Sequence, residues 1–236
     1  MRPDEGRPAP GPTGECRPRN PPRAAGLNRV AEEAVEAVGG PGRPDEAGPD
    51  QDVRLMLAFR SGDAAAFDAL FRRWSGPLQR YLDRMLRDAG SAEELVQEVF
   101  LRVHGARERY APQARFSTWL YRIATNLARN ELRRPRRREP HRSHDEEGGP
   151  TLVSEGARPE AVVDAKRLGA RVERELASLP EKQRAALCLT AVEGLSYAEV
   201  AEALEVSEQA VKALVHRARS ALAERLRQGA GRTGEE

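Results

Sequence analysis

Between Leu195 and Leu222 the chain reads LSYAEVAEALEVSEQAVKALVHRARSAL. Its chemically capable residues are Ser207, Gln209, Lys212, His216, Arg217 and Arg219. What they suit is non-covalent: Gln and Lys hydrogen-bond base edges, and Lys, His and Arg meet phosphate. Such groups act only if something holds them on one face. Ser196 and Glu199 form an S-x-x-E capping box that predicts a helix from Tyr197, with Val200, Ala201 and Leu204 as its buried stripe. The chain then turns at Glu205-Val206, Ser207 caps the next helix, and Val211, Leu214, Val215 and Ala218 recur at helical spacing. A small residue at Ala201 and a β-branched one at Val211 suit a helix-turn-helix, which lays its second helix in a DNA major groove. A plain helical hairpin shares the periodicity but has no use for the basic exit.

A second group lies on RFSTWLYRIATNLARNELRR, ended by Pro135. Phe116, Leu120, Ile123 and Leu127 mark a core face, and Trp119, Arg122, Asn126, Arg129, Asn130 and Arg133 share another. An aromatic, guanidiniums and amides in one stripe can stack a base, reach phosphates and bond base edges. The competing reading makes Trp119 partly core and the arginines a solvated face.

No residue set suits bond-making chemistry: there is no catalytic site, Gly-rich phosphate loop, triad spacing or paired buried carboxylates. No cofactor, metal or small-molecule substrate is expected. His141, His144 and Asp145 sit in a polar stretch without convergent Cys and read as solvated. Cys16 and Cys188 are too far apart for a metal or disulfide framework, which fits a reducing cytoplasm, and Cys188 reads as a small core residue. No apolar run has signal-peptide or transmembrane length, so membrane insertion is not expected. Net charge is only +2, although 36 of the 39 basic residues are Arg. Arg favours bidentate phosphate contacts, but a GC-rich coding bias produces the same excess.

These segments predict an all-α chain of two small helical domains on a flexible linker. Residues 1–50, dense in Pro, Gly and Arg, read as a disordered extension. Residues 51–134 form the first domain: one helix through Phe59, a second capped by Asp63 and ended at Ser75-Gly76-Pro77, and a third from Leu78 to Leu86. A further capping box at Ser91 and Glu94 opens AEELVQEVFLRV, a loop runs from Gly105 to Arg115, and the Trp119 helix follows. Residues 135–160 read as linker, with six Arg between Arg133 and Arg142 and then Asp145-Glu146-Glu147. Residues 161–228 form the second domain, with helices through Leu168, Val172 and Leu176 and from Pro180 to Val192. Residues 229–236 read as a C-terminal tail.

From Asp52 to Leu226 the chain resembles the extracytoplasmic-function group of bacterial sigma factors. The stretches that carry the likeness are GDAAAFDALFRRW, SAEELVQEVFLRV, RFSTWLYRIATNLARNELRR, SLPEKQRAALCLTAVEGLSYAEVA and VKALVHRARSAL, in that order. The first three look like region two of that family and the last two like region four. The resemblance implies a dissociable promoter-recognition subunit of RNA polymerase that carries no chemistry of its own. Glu94, Gln97 and Glu98 match positions that dock on the clamp coiled coil of the largest core subunit. Arg115, Trp119, Arg122, Asn126, Arg129 and Asn130 fall in the part that captures the melted downstream promoter element. The second helix of the helix-turn-helix matches the reader of the upstream element. An inhibitory anti-sigma protein is a further implied partner.

The chain departs from the family pattern where Gly is common at the position of Glu205, which predicts either a left-handed residue there at some cost or a slightly different turn. Gln209-Ala210 stands where relatives often carry Gly-Thr, so the upstream sequence cannot be carried over. A stand-alone helix-turn-helix regulator is the rival reading. It would bind duplex DNA but needs neither the Glu94 helix nor the Trp119 stripe.

Overall fold

The computed structural model describes residues Pro49–Arg134 and Pro159–Ala230. The expected extension, linker and C-terminal tail, with Cys16, His141, His144 and Asp145, lie outside the described residues, apart from helix ends at Pro49, Pro159 and Ala230. Among the described residues eight α-helices follow in order: α1 Pro49–Arg60, α2 Ala64–Leu86, α3 Ala89–Gly105, α4 Phe116–Arg133, α5 Pro159–Ala177, α6 Glu181–Leu187, α7 Tyr197–Leu204 and α8 Glu208–Ala230. A 3-10 turn at Arg107–Arg109 precedes α4, and a π-helical turn at Cys188–Val192 extends α6. No strand occurs among the described residues, as the sequence reading expects.

The first correction concerns Pro77. The sequence reading ends a helix at Ser75-Gly76-Pro77, but α2 continues through all three to Leu86. Proline inside a helix costs about 3 kcal/mol. Here Leu70, Trp74, Leu78, Tyr81, Leu82 and Met85 keep one buried stripe in phase on both sides of it. Each such burial is worth about 1.5–3 kcal/mol, so the stripe outweighs the break. Asp63 caps α2 as expected, its carboxylate accepting from the Ala65 and Ala66 amides.

The second correction is the start of α3. Asp88, not Ser91, is its cap, and its carboxylate accepts from both the amide and the hydroxyl of Ser91. The helix therefore opens at Ala89, ahead of the expected Ala92. Downstream, Val96, Val99, Phe100 and Val103 are buried as a helical face requires.

In the N-terminal group α2 packs against α1, α3 and α4. Its centre is aromatic: the Trp74 ring lies 6.2 Å from Phe116 and 6.0 Å from Tyr121, and Tyr81 lies 5.3 Å from Tyr121. Asp52, buried in α1, pairs with Arg73 of α2 at 2.9 Å. In the C-terminal group α8 packs on α5, α6 and α7 through Val211, Val215, Ala218, Leu222 and Leu226. Val172 and Leu176 are buried as expected, but Leu168 is exposed. Cys188 is buried, and desolvation pushes its thiol up to about 12.

The two groups also touch. α4 packs along α7, and α2 meets α5, α6 and the π-helical turn. Separate domains on a linker would not require this contact, and nothing in the periodicity signals it.

Candidate nucleic-acid interface

The helix-turn-helix follows its sequence signals closely. Ser196 and Glu199 satisfy each other's backbone amides in a complete capping box. Glu205 closes α7 at φ 56°, ψ 47°, the left-handed conformation, while its amide donates to the Ala201 and Glu202 carbonyls. Ser207 then caps α8, its hydroxyl accepting from the Ala210 amide at 3.2 Å. Val211 and Val215 seat α8 in the core, which leaves Gln209, Lys212, His216 and Arg217 exposed. Arg219 is half-buried instead and already has an interaction partner. Glu208 reaches Lys212 across one turn at 2.8 Å, and that hydrogen bond raises the ammonium's pKa. The face offers amide and cationic groups within a few turns of the helix N-terminus, where a groove-binding helix presents its readers.

On α3, Glu94 and Gln97 are exposed and Glu98 half-exposed, with Leu95 turned toward the core. Glu98 holds Arg102 at 2.8 Å. One more member of this face escaped the sequence reading. Leu101 is 67% exposed, at i+4 from Gln97 and i+7 from Glu94. The spacing was legible, but an isolated Leu in a helical pattern is normally assigned to the core.

On α4 the stripe is only partly a free surface. Trp119 is half-buried, its ring 5.1 Å from Tyr110 and 5.7 Å from Phe116. Arg122, Asn126 and Arg129 are half-buried as well, and only Asn130 and Arg133 are exposed. Phe116, Leu120 and Leu127 are core as expected, whereas Ile123 is half-buried.

A further buried face, Tyr121, Ala124, Thr125 and Ala128, went unrecognised. Tyr121 donates its hydroxyl to Glu193, and the Tyr81 and Thr125 hydroxyls share a 2.7 Å hydrogen bond. Burial first, and then the Glu193 charge, raise the Tyr121 pKa well above its ordinary value. Tyr121 and Thr125 stand four residues apart, a signal of a shared face, but polar hydroxyls do not advertise burial.

One stripe residue, Arg129, and the residue before α4, Arg115, are engaged by the C-terminal group. Arg129 pairs with Glu181 at 2.8 Å, and Arg115 pairs with Glu199 at 3.2 Å. Among the described residues no group of three or more His, Cys, Asp or Glu could hold a metal. None of their helices is long and apolar enough to cross a membrane.

Residues 70–138 match the family model described as Sigma-70 region 2, and residues 169–222 match Sigma-70, region 4. The RNA polymerase sigma-H factor of Pseudomonas aeruginosa is 32% identical over 73% of this chain and 92% of its own length. The ECF RNA polymerase sigma factor SigW of Bacillus subtilis is 32% identical over 74% of this chain and 96% of its own. The ECF RNA polymerase sigma-E factor of Escherichia coli is 33% identical over 72% and 92%. Among solved structures, CnrH in complex with the cytosolic domain of CnrY aligns with a TM-score of 0.57 at 25% identity, covering 76% of this chain and 99% of that one. The sigma factor RpoE bound to the anti-sigma factor NepR from Bartonella quintana shares the fold, with a TM-score of 0.51 at 20% identity over 68% and 96%.

Proposed function

The chain belongs to the extracytoplasmic-function group of the sigma-70 family, and from that premise we propose that it is a dissociable subunit that directs bacterial RNA polymerase to its promoters. The observation that carries the reading is the presence, in order on one chain, of region 2 and region 4, each with a polar face left open. Residues 51–134 serve core docking and the downstream element, and residues 161–228 serve the upstream element.

Glu94, Gln97 and Glu98 dock on the clamp coiled coil, with Leu101 as an apolar anchor beside them. Ser207, Gln209, Lys212, His216, Arg217 and Arg219 address the upstream duplex. Gln209 and Lys212, near the helix N-terminus, read bases, and Arg217 and Arg219 hold phosphates. Arg115, Trp119, Arg122, Asn126, Arg129 and Asn130 hold the unpaired downstream strand, whose bases become available only after the duplex opens. The chain makes and breaks no bond itself, acts in the cytoplasm, and is held in check by an anti-sigma protein.

Transcription from promoter fragments with purified core polymerase tests this. Promoter-dependent initiation on adding the chain alone is the expected result. Duplex binding without any gain in initiation would identify a stand-alone regulator instead.

A further inference from the structure

A cavity of about 380 Å³ opens where the ends of α2, α4 and α5 and the start of α3 meet α6. Its volume falls within the range of small-molecule sites. No residue assigned above to promoter DNA or to core polymerase lines it.

The charge of the lining is unbalanced. Both of its carboxylates are committed: Asp88 accepts from the amide and hydroxyl of Ser91, and Glu131 accepts from Arg134. Arg184 is only 8% exposed, and its bonds to the Arg84 and Met85 carbonyls run through Nη1 alone. Its Nε is buried without a hydrogen-bond partner. A buried donor left in that state is costly. The edge formed by Nε and Nη2 is one that grips an oxyanion side-on through two parallel bonds.

Arg87 stands beside it on the same lining. This residue closes α2 at φ 59°, a left-handed conformation that an Arg adopts against a steric cost. Strain of this kind collects at ligand sites. Burial is the main cause of the lowered Arg184 pKa, and the Arg87 charge adds to it while Glu181 opposes it. The 17-residue helix α3 also turns its N-terminus, the positive end of its dipole, toward the same place.

A single carboxylate would neutralise one guanidinium. Two guanidiniums match a phosphomonoester, which carries a charge of about −1.5 to −2 at neutral pH. The rest of the wall is apolar, formed by Leu86, Leu132 and Ala177, and Leu132 is 38% exposed. That side chain offers a flat body a place to rest.

We propose that this cavity binds a nucleoside monophosphate, its phosphate held by Arg184, Arg87 and the start of α3 and its base lying against Leu132. The site does not depend on the promoter-recognition reading, and its failure would leave that reading intact.

Isothermal titration calorimetry of the full chain with AMP, GMP and adenosine tests the assignment. At least one of the two nucleotides should bind with a Kd below about 1 mM. Adenosine lacks the phosphate and should bind about tenfold more weakly or not at all. In amide NMR spectra the same titration should move Arg87, Ser91 and Leu132.

Arg87→Gly is expected to weaken nucleotide binding about tenfold. Glycine takes the left-handed backbone without conflict, so this variant keeps the fold. Arg184→Lys keeps the charge and a capping donor but loses the two-bond edge, and should weaken binding as well. Arg72→Ala removes an equal charge at an exposed position of α2 outside the cavity and should leave affinity unchanged. No binding of either nucleotide, adenosine binding as tightly as AMP, or an equal loss in Arg72→Ala would overturn the proposal. Shifts confined to α8 would overturn it too, since they would put the nucleotide on the DNA-reading face.

Discussion

The Arg184 guanidinium, carried by α6, donates to the carbonyl oxygen of Met85 at 2.9 Å, near the end of α2. It also reaches the Arg84 carbonyl at 3.3 Å. The last carbonyls of a helix lack partners within it, so a side chain from the other half of the chain caps α2. The capping position is buried, which lowers the Arg184 pKa from its ordinary value.

Arg184→Ala strands those carbonyls at a buried contact and is expected to cost about 1–3 kcal/mol. Arg184→Lys should recover part of the loss by restoring one donor. Urea denaturation followed by circular dichroism measures both, and wild-type stability in Arg184→Ala would mean that the cap is not formed in solution.

Tyr81→Phe removes one side of the buried Tyr81–Thr125 hydrogen bond and leaves the Thr125 hydroxyl without that partner. The expected loss is about 1 kcal/mol. Adding Thr125→Val should restore part of it, because both polar groups are then gone. A double variant less stable than the sum of the singles contradicts this account.

Asp83 tests the sign of a proton linkage. Burial raises its carboxyl from the ordinary 3.8, while the Gln79 hydrogen bond and the Arg84 charge pull it back only in part. A carboxyl whose pKa is higher folded than unfolded binds more protons in the folded state, so stability falls as pH rises through that window. At neutral pH the ionised group is a net cost. Asp83→Asn, which keeps the acceptor for Gln79, should therefore equal or exceed wild-type stability there by less than about 1 kcal/mol, the site being half-exposed. Its advantage should shrink as pH falls toward about 4. Melting temperatures of both proteins against pH decide it, and parallel curves would refute the linkage.

Glu205 holds a left-handed backbone that glycine adopts without steric conflict. Glu205→Gly should raise stability by about 0.5–1 kcal/mol, the relief of strain being partly offset by the freer unfolded chain. Thermal melts give the answer. A drop would show that the Glu205 side chain contributes more than its backbone strain takes away.

Docking and opening should separate genetically. Asn126→Ala is expected to spare assembly with core polymerase and upstream duplex binding but to impair open-complex formation, and a premelted template should rescue it. Trp119→Ala removes about 1–3 kcal/mol of base stacking if the ring reaches DNA, yet its packing on Tyr110 and Phe116 adds a folding loss that must be measured beside it. Glu94→Lys should abolish assembly, with no rescue by a bubble. Permanganate reactivity of promoter thymines beside a core-binding assay resolves the two classes, and rescue of Glu94→Lys by the bubble would undo the assignment.

What the sequence determined by itself was local and periodic. The Ser196–Glu199 box, the turn at Glu205, the Ser207 cap and the Val211–Val215 stripe are specified by neighbours three or four residues apart, and so is the polar face of Glu94, Gln97 and Glu98. These features need no distant partner, so spacing alone reveals them. Tertiary structure decided the rest. Pro77 stays inside α2 because an aromatic core from four helices holds the segments around it together. The start of α3 is local as well, the Asp88 carboxylate accepting from the amide and the hydroxyl of Ser91, but spacing alone offered two neighbouring caps and did not choose between them. The second buried face of α4, with Tyr121 and Thr125, depends on Tyr81 and on Glu193, residues 44 and 72 positions away. A single periodic stripe can announce one covered face of a helix. A second face, covered through hydroxyls and charges by the far half of the chain, carries no apolar signal, and only the packing of α7 along α4 makes it a core.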